Sequence, residues 1–80
     1  MAGESLFHEM IKQEVHLEFS GNRQVIIEEC NGILEYSEQQ VRVNTTNYIL
    51  RFQGKNLQIT AMTHDSIVLS GHIDRLEFLF

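Results

Sequence analysis

The stretch Ser70-Gly71-His72-Ile73-Asp74 carries the hydroxyl, imidazole and carboxylate of a hydrolytic triad in close succession. Acyl transfer needs the hydroxyl within hydrogen-bond reach of the imidazole and a carboxylate that orients the ring. The local pattern instead places these groups on a hairpin tip open to water, and catalysis is not expected there. His64-Asp65 and the pair His72 and Asp74 offer donors for a divalent metal, but the chain has no cysteine pair and no HxxxH or HExxH spacing. His8 and His16 stand alone and read as surface imidazoles, and Glu28-Glu29 reads as solvating charge beside a turn. No glycine-rich run precedes a helix, as a phosphate-cradling loop requires. Arg51 beside Phe52 is an isolated basic-aromatic neighbour, not the interleaved cluster that binds single strands. No catalytic residue, metal ligand or cofactor is expected, so function must be sought in the surfaces that the elements present.

A chain of 80 residues makes one small domain, and a domain of this size buries only about 60% of the surface its unfolded form exposes. The composition, 42% hydrophobic and 21% charged, is that of a folding chain rather than a disordered one. The net charge of −5 repels phosphate backbones, which argues against nucleic acid as a partner. The one cysteine, Cys30, cannot form an intrachain disulfide, and it reads as a packed thiol in a reducing compartment. The start, Met1-Ala2-Gly3-Glu4-Ser5, has no basic segment followed by an apolar one, and nowhere is there an apolar run of about 18 residues. A cytoplasmic chain without a membrane span of its own is expected.

Leu6, Phe7, Met10 and Ile11 recur at helical spacing behind Ser5 as N-cap, which predicts a short amphipathic helix over 5–13. Its polar face, His8, Glu9, Lys12 and Gln13, lacks the lysines that a helix bound to anionic lipid would carry. Residues 1–14 therefore form an N-terminal helical segment and 15–80 a β domain. From residue 15 onward polar and apolar residues alternate, and eight strands are predicted at 15–20, 24–30, 33–37, 41–45, 48–53, 56–61, 66–70 and 73–79. With no proline and no crossover helix, neighbours should be antiparallel. The expected fold class is all-β: a meander of about eight short strands, closed as a small barrel or folded as a sandwich over Leu17, Phe19, Ile27, Tyr36, Leu50, Phe52, Ile59 and Leu69.

Turns fix the expected registers, because a slip of one residue inverts every side chain. Gly32, Gly54 and Gly71 read as the structural turn residues. A hairpin at Gly54-Lys55 sets Phe52 opposite Leu57 and Leu50 opposite Ile59. One at Thr46-Asn47 sets Val43 opposite Leu50 and Val41 opposite Phe52, and one at Asn31-Gly32 sets Ile27 opposite Tyr36. A loop over Ser37–Gln40 aligns Leu34 with Val43. These registers bring Glu28, Glu35, Arg42 and Arg51 into one row across four strands, a solvated charge ladder. The same outer face carries Ile26, Cys30, Ile33, Ile49 and Val68, a large apolar load for a face meeting water. Leu76-Glu77-Phe78-Leu79-Phe80 adds an apolar edge strand, a template for another chain. The candidate interaction surface is Ile26, Ile33, Ile49, Val68, Leu79 and Phe80, and a homo-oligomer or a protein partner is expected.

The segments Val25-Ile26-Ile27-Glu28, Asn31 to Val43, Gly54-Lys55-Asn56-Leu57-Gln58-Ile59 and Ile67 to Phe78 resemble the YabP/YqfC sporulation-protein family, with the YqfC branch the closer. The resemblance covers roughly 15–79. Its most specific part is the pair G-K-N-L-x-I and h-x-G-x-I-x-x-h-E-h, where h is apolar. It departs at the N-terminal part, where relatives tend to carry proline before the first strand. The resemblance implies a small non-enzymatic structural or adaptor protein of endospore formation. That protein would act in the mother cell, in spore-envelope assembly, beside a membrane protein. The competing expectation is a small-ligand or polymer-binding β-module, which would show a pocket of about 300 Å³ or more with converging polar groups.

Overall fold

The computed structural model describes residues 14–80; the helix expected over 5–13 lies outside them. Runs of apolar residues interleaved with polar ones give β1 (His16–Ser20), β2 (Gln24–Glu28), β3 (Ile33–Tyr36), β4 (Gln40–Asn44), β5 (Ile49–Met62) and β6 (Ser66–Leu79). All pair antiparallel in one six-stranded sheet of order β1-β2-β6-β5-β4-β3. The all-β expectation holds, while the count of eight strands does not. The segments expected at 48–53 and 56–61 are one continuous strand, as are those at 66–70 and 73–79.

The merger corrects the reading of two glycines. Gly54 faces Ile73 inside the β5–β6 ladder, and Gly71 lies inside β6, so neither is a hairpin pivot. Phe52 stands opposite Leu76 and Leu50 opposite Phe78; the hairpin itself falls at residues 63–65, where Thr63 N–H donates to Ser66 O at 2.8 Å. Both readings place apolar residues opposite one another, which is why alternation alone did not separate them. Inward residues change from even to odd along β5 (Leu50 and Phe52, then Leu57) and from odd to even along β6 (Leu69 and Ile73, then Leu76). Such a phase change marks a turn or a bulge equally well. Here it is a bulge: the register slips between Gln53 and Gly54 and again between Lys55 and Gln58.

The bulges let the long β5–β6 ribbon double over. Consecutive residues show it: Cys30 N–H donates to Asp65 O at the hairpin tip (3.1 Å), and Asn31 N–H donates to Asn44 O (2.8 Å), which sits opposite Ile49 at the ribbon's far end. The two ends of the ribbon therefore lie together. One layer is β1, β2 and the hairpin half of the ribbon; the other is β3, β4 and the open half. Among the described residues neither β1 nor β3 has a second neighbour, so the sheet is not closed into a barrel. A single core joins the layers, with Val25, Ile27, Leu57, Ile67 and Leu69 from one side and Val41, Val43, Leu50 and Phe52 from the other.

Asn31-Gly32 is likewise a crossing between layers instead of a hairpin, because β2 and β3 are not neighbours. Ile27 accordingly faces Leu17 and Ile67, not Tyr36. The expected pairs Val41 with Phe52 and Val43 with Leu50 are present, since Thr46-Asn47 does close a hairpin. A bulge in β3 sets Ile33, not Leu34, opposite Val43. Phe19 and Tyr36, expected in the core, are about half exposed at the sheet edges. Tyr36 still bridges the layers, its hydroxyl accepting from Ile59 N–H at 3.0 Å.

Candidate interaction surface

The triad residues do not assemble. Ser70 faces outward from β6 opposite Gln24 and Gln58 and is not hydrogen-bonded to His72. His72 Nε2 lies 2.9 Å from Asp74 Oδ1, both half-exposed, in mid-strand and not on the expected tip. His64 and Asp65 are 3.7 Å apart on the true hairpin tip. Among the described residues no three His, Cys, Asp or Glu side chains gather around a common point.

The charge row exists with one member exchanged. Glu35, Arg42 and Arg51 are neighbours across β3, β4 and β5 as expected, but Glu28 is on the other layer, opposite Ser66 and His16. Its place is taken by Glu77 of β6, opposite Arg51. Arg42 Nε donates to Glu35 Oε1 at 2.9 Å and Arg51 Nε to Glu77 Oε1 at 2.8 Å. The two like-charged arginines at the centre are thus each neutralised from outside. Gln40 extends the network, donating to Glu35 Oε1 and accepting from Gln53. All four charged side chains are about a third exposed or more, so each pair contributes under about 1 kcal/mol.

The apolar surface is dispersed. Ile26 and Val68 are paired on the outer face of the first layer, and Ile49 and Leu79 on the outer face of the second, so the two pairs point in opposite directions. Ile33 packs against the core. Cys30, assigned to the outer face by alternation, is buried, in keeping with its reading as a packed thiol, and the thiol donates to Asp65 O at 3.4 Å. Burial pushes the Cys30 thiol up from its ordinary value, with the Asp65 and Glu29 charges adding to the shift. The thiol is consequently inert by both access and thiolate content. Iodoacetamide at pH 8 is expected to label Cys30 in the folded chain at least about tenfold more slowly than in urea, read by intact mass. Equal rates would show that Cys30 is not packed against the hairpin.

What is concentrated is an aromatic cluster at the margin of the core, built on the half-buried Tyr48. Tyr48 meets Phe78 edge-on at 5.1 Å and Phe80 at 5.5 Å; Phe78 is 46% and Phe80 97% exposed. The Tyr48 hydroxyl donates to Glu14 Oε2 at 3.3 Å, and burial, then the Glu14 charge, push its pKa up. Of the six expected surface residues, Phe80 alone is fully open. Phe78 lies in the apolar edge expected at Leu76–Phe80, though it was not among the six named residues; Tyr48 was missed, as the first residue of an expected strand. A second feature, also missed, is a shallow cleft of about 360 Å³ over the ribbon's bend, lined by Arg23, Lys55, Asn56, Gly71 and His72. No sequence spacing joins these residues; the β5–β6 ladder sets Lys55 opposite His72, and the β1–β2 turn brings Arg23, whose carbonyl accepts from Gly71 N–H.

Residues 11–79 match the model of the YabP family. The chain belongs to the YabP family. The match takes in all six strands of the sheet. No curated protein and no solved structure matches the chain. The two glycine motifs that carried the resemblance sit, in this YabP-family member, at the bend where β5 and β6 pass closest, so they mark the fold's doubling point. Among the described residues no helix is long and apolar enough to cross a membrane.

Proposed function

We propose that this YabP-family chain is a non-enzymatic structural or adaptor protein of endospore formation, on the YqfC side of the family. It acts in the mother cell through protein contacts, with a membrane protein as partner. Family membership suggests a role linked to sporulation. The observation that carries the adaptor reading is the exposed pair Phe78 and Phe80, gathered on the half-buried Tyr48 at the end of a strand edge that no described residue pairs. Large aromatics exposed together are the surface that a protein interface uses.

The cleft at the bend favours a second reading. Its volume and its Arg23 and Lys55 side chains suit a small anion, and they stand out in a chain of net charge −5. Its charged walls are exposed side chains, however, which bind an anion weakly in water. Affinity capture from sporulating cells, with wild-type and Phe78→Ser/Phe80→Ser baits, separates the two. The adaptor reading expects a reproducible protein partner that the double variant loses. Recovery of an anionic metabolite or glycan by both baits, with no protein partner, would overturn it in favour of the cleft.

A further inference from the structure

Strand β6 changes its company half-way along. Over Ser66–Ser70 it lies between β2 and β5, but from Asp74 to Leu79 only β5 is beside it. The β1–β2 turn covers the edge at Gly71 and Ile73, whose N–H groups donate to Arg23 O (3.0 Å) and Asn22 O (2.8 Å). Beyond Ile73 no described residue covers the edge.

Backbone parity determines which groups that edge offers. Gly54 N–H donates to Gln39 O, and Tyr48 O accepts from Thr45 N–H, so even-numbered residues at this end of β5 turn their backbone toward β4. The odd ones, Ile49, Arg51 and Gln53, turn toward β6 and engage their partners Leu79, Glu77 and Arg75. The N–H and C=O groups of Leu76 and Phe78 are left pointing out along this edge, which no described residue covers, while Asp74 sits in the bulge between Ile73 and Arg75.

We propose that this edge pairs antiparallel with the same segment of a second copy, about a twofold axis through Leu76. The proposal rests on reading the C-terminal edge as the working surface, and it names one partner for it. An antiparallel ladder must set outward-pointing residues opposite one another, so opposed residue numbers differ by an even number and the axis passes through a single residue; centring on Arg75 or on Glu77 sets two like charges face to face. Centring on Asp74 brings two carboxylates together and runs into the capped stretch at Gly71–Ile73. Centring on Phe78 sets Glu77 against Leu79 and leaves Arg75 without a partner. Centring on Leu76 sets leucine against leucine, and places Arg75 of each copy opposite Glu77 of the other at the two flanking positions. Those flanking positions are the closely spaced, non-hydrogen-bonded pairs, with Cα atoms about 4.5 Å apart, where side chains interact most.

Charge therefore selects the same register that backbone geometry permits. Arg75 is exposed and makes no ion pair with any described residue. Glu77, already held by Arg51, would gain a second arginine across the axis. The contact is isologous and closes on itself, so it gives a dimer and not a fibre.

The test uses two full-length variants, Arg75→Glu and Glu77→Arg, each folding checked by circular dichroism, with mass read by light scattering at about 100 µM. Wild type is expected at twice the chain mass of 9.3 kDa. Each variant alone places like charges opposite one another twice and is expected to be monomeric, its association weakened at least about 30-fold. Mixed in equal amounts, the two restore both Glu–Arg pairs and are expected to form a heterodimer. A monomeric wild type, or variants that still self-associate, or a mixture that stays monomeric, would overturn the register. Since the dimer is read on purified chain and the adaptor role by partner capture, either can fail without the other.

Discussion

Gly54→Ala is expected to abolish the native fold. A β-carbon at this position would lie 1.9 Å from the carbonyl oxygen of His72 and 2.9 Å from its carbonyl carbon. Both are backbone atoms of the strand opposite, so no rotamer change relieves the clash; the two strands must separate at the point where the ribbon bends. Gly71 meets the reciprocal constraint. It has a φ of +133°, which disfavours any side chain, and its β-carbon would come 2.5 Å from Asn56 O. Folded chains of this size are stable by about 4 to 12 kcal/mol, and separating the strands removes the contact that holds the layers together. A loss of more than about 4 kcal/mol is expected for Gly54→Ala, read as absence of a cooperative urea transition. Gly21→Ala is the control: its φ is +55° but nothing lies within 4 Å, so a cost of about 1 to 2 kcal/mol is expected. If Gly54→Ala unfolded at the same midpoint as Gly21→Ala, the close crossing of β5 and β6 would be wrong.

That pair of glycines also shows how far the fold was legible in the sequence. Alternation gave the strand positions, and the hairpin at Thr46-Asn47 gave correct partners for Val41 and Val43, because that turn is local and its register follows from counting. Where pairing is non-local, counting fails. Nothing near Val25 or Ile27 says that their partners are Leu69 and Ile67, some forty residues away in the chain. The meander reading joined β2 to β3 because Asn31-Gly32 has the residues of a tight turn. In the fold the same φ-positive glycine (109°) serves a crossing between layers. The interaction surface suffered from the same cause. Ile26, Val68 and Ile49 were correctly placed on outward faces, and Leu79, taken from the C-terminal edge, lies beside Ile49. Two layers have two outward faces, however, and only the doubled ribbon reveals that these residues divide between them. Glu77 entered the charge row unannounced because β6 runs back alongside β5 to its first residue.

Phe52→Ala is expected to remove about 3 to 5 kcal/mol, against under about 1 kcal/mol for Phe78→Ala. The two rings lie on the same face of the same layer, Phe52 between Val41 and Leu76, Phe78 opposite Leu50. Phe52 is wholly buried where the bend closes over the core, so its loss leaves a cavity that Gly54, fixed against His72, cannot collapse to fill. Phe78 is 46% exposed, its ring edge-on to Tyr48, and water takes its place when it is cut back. Urea midpoints at one fixed protein concentration measure the difference, since any self-association would otherwise shift them. Equal losses would mean that Phe78 belongs to the core and that the edge is covered. A large gap would show that Phe78 contributes little to the stability of its own domain, as expected of a side chain kept for a partner.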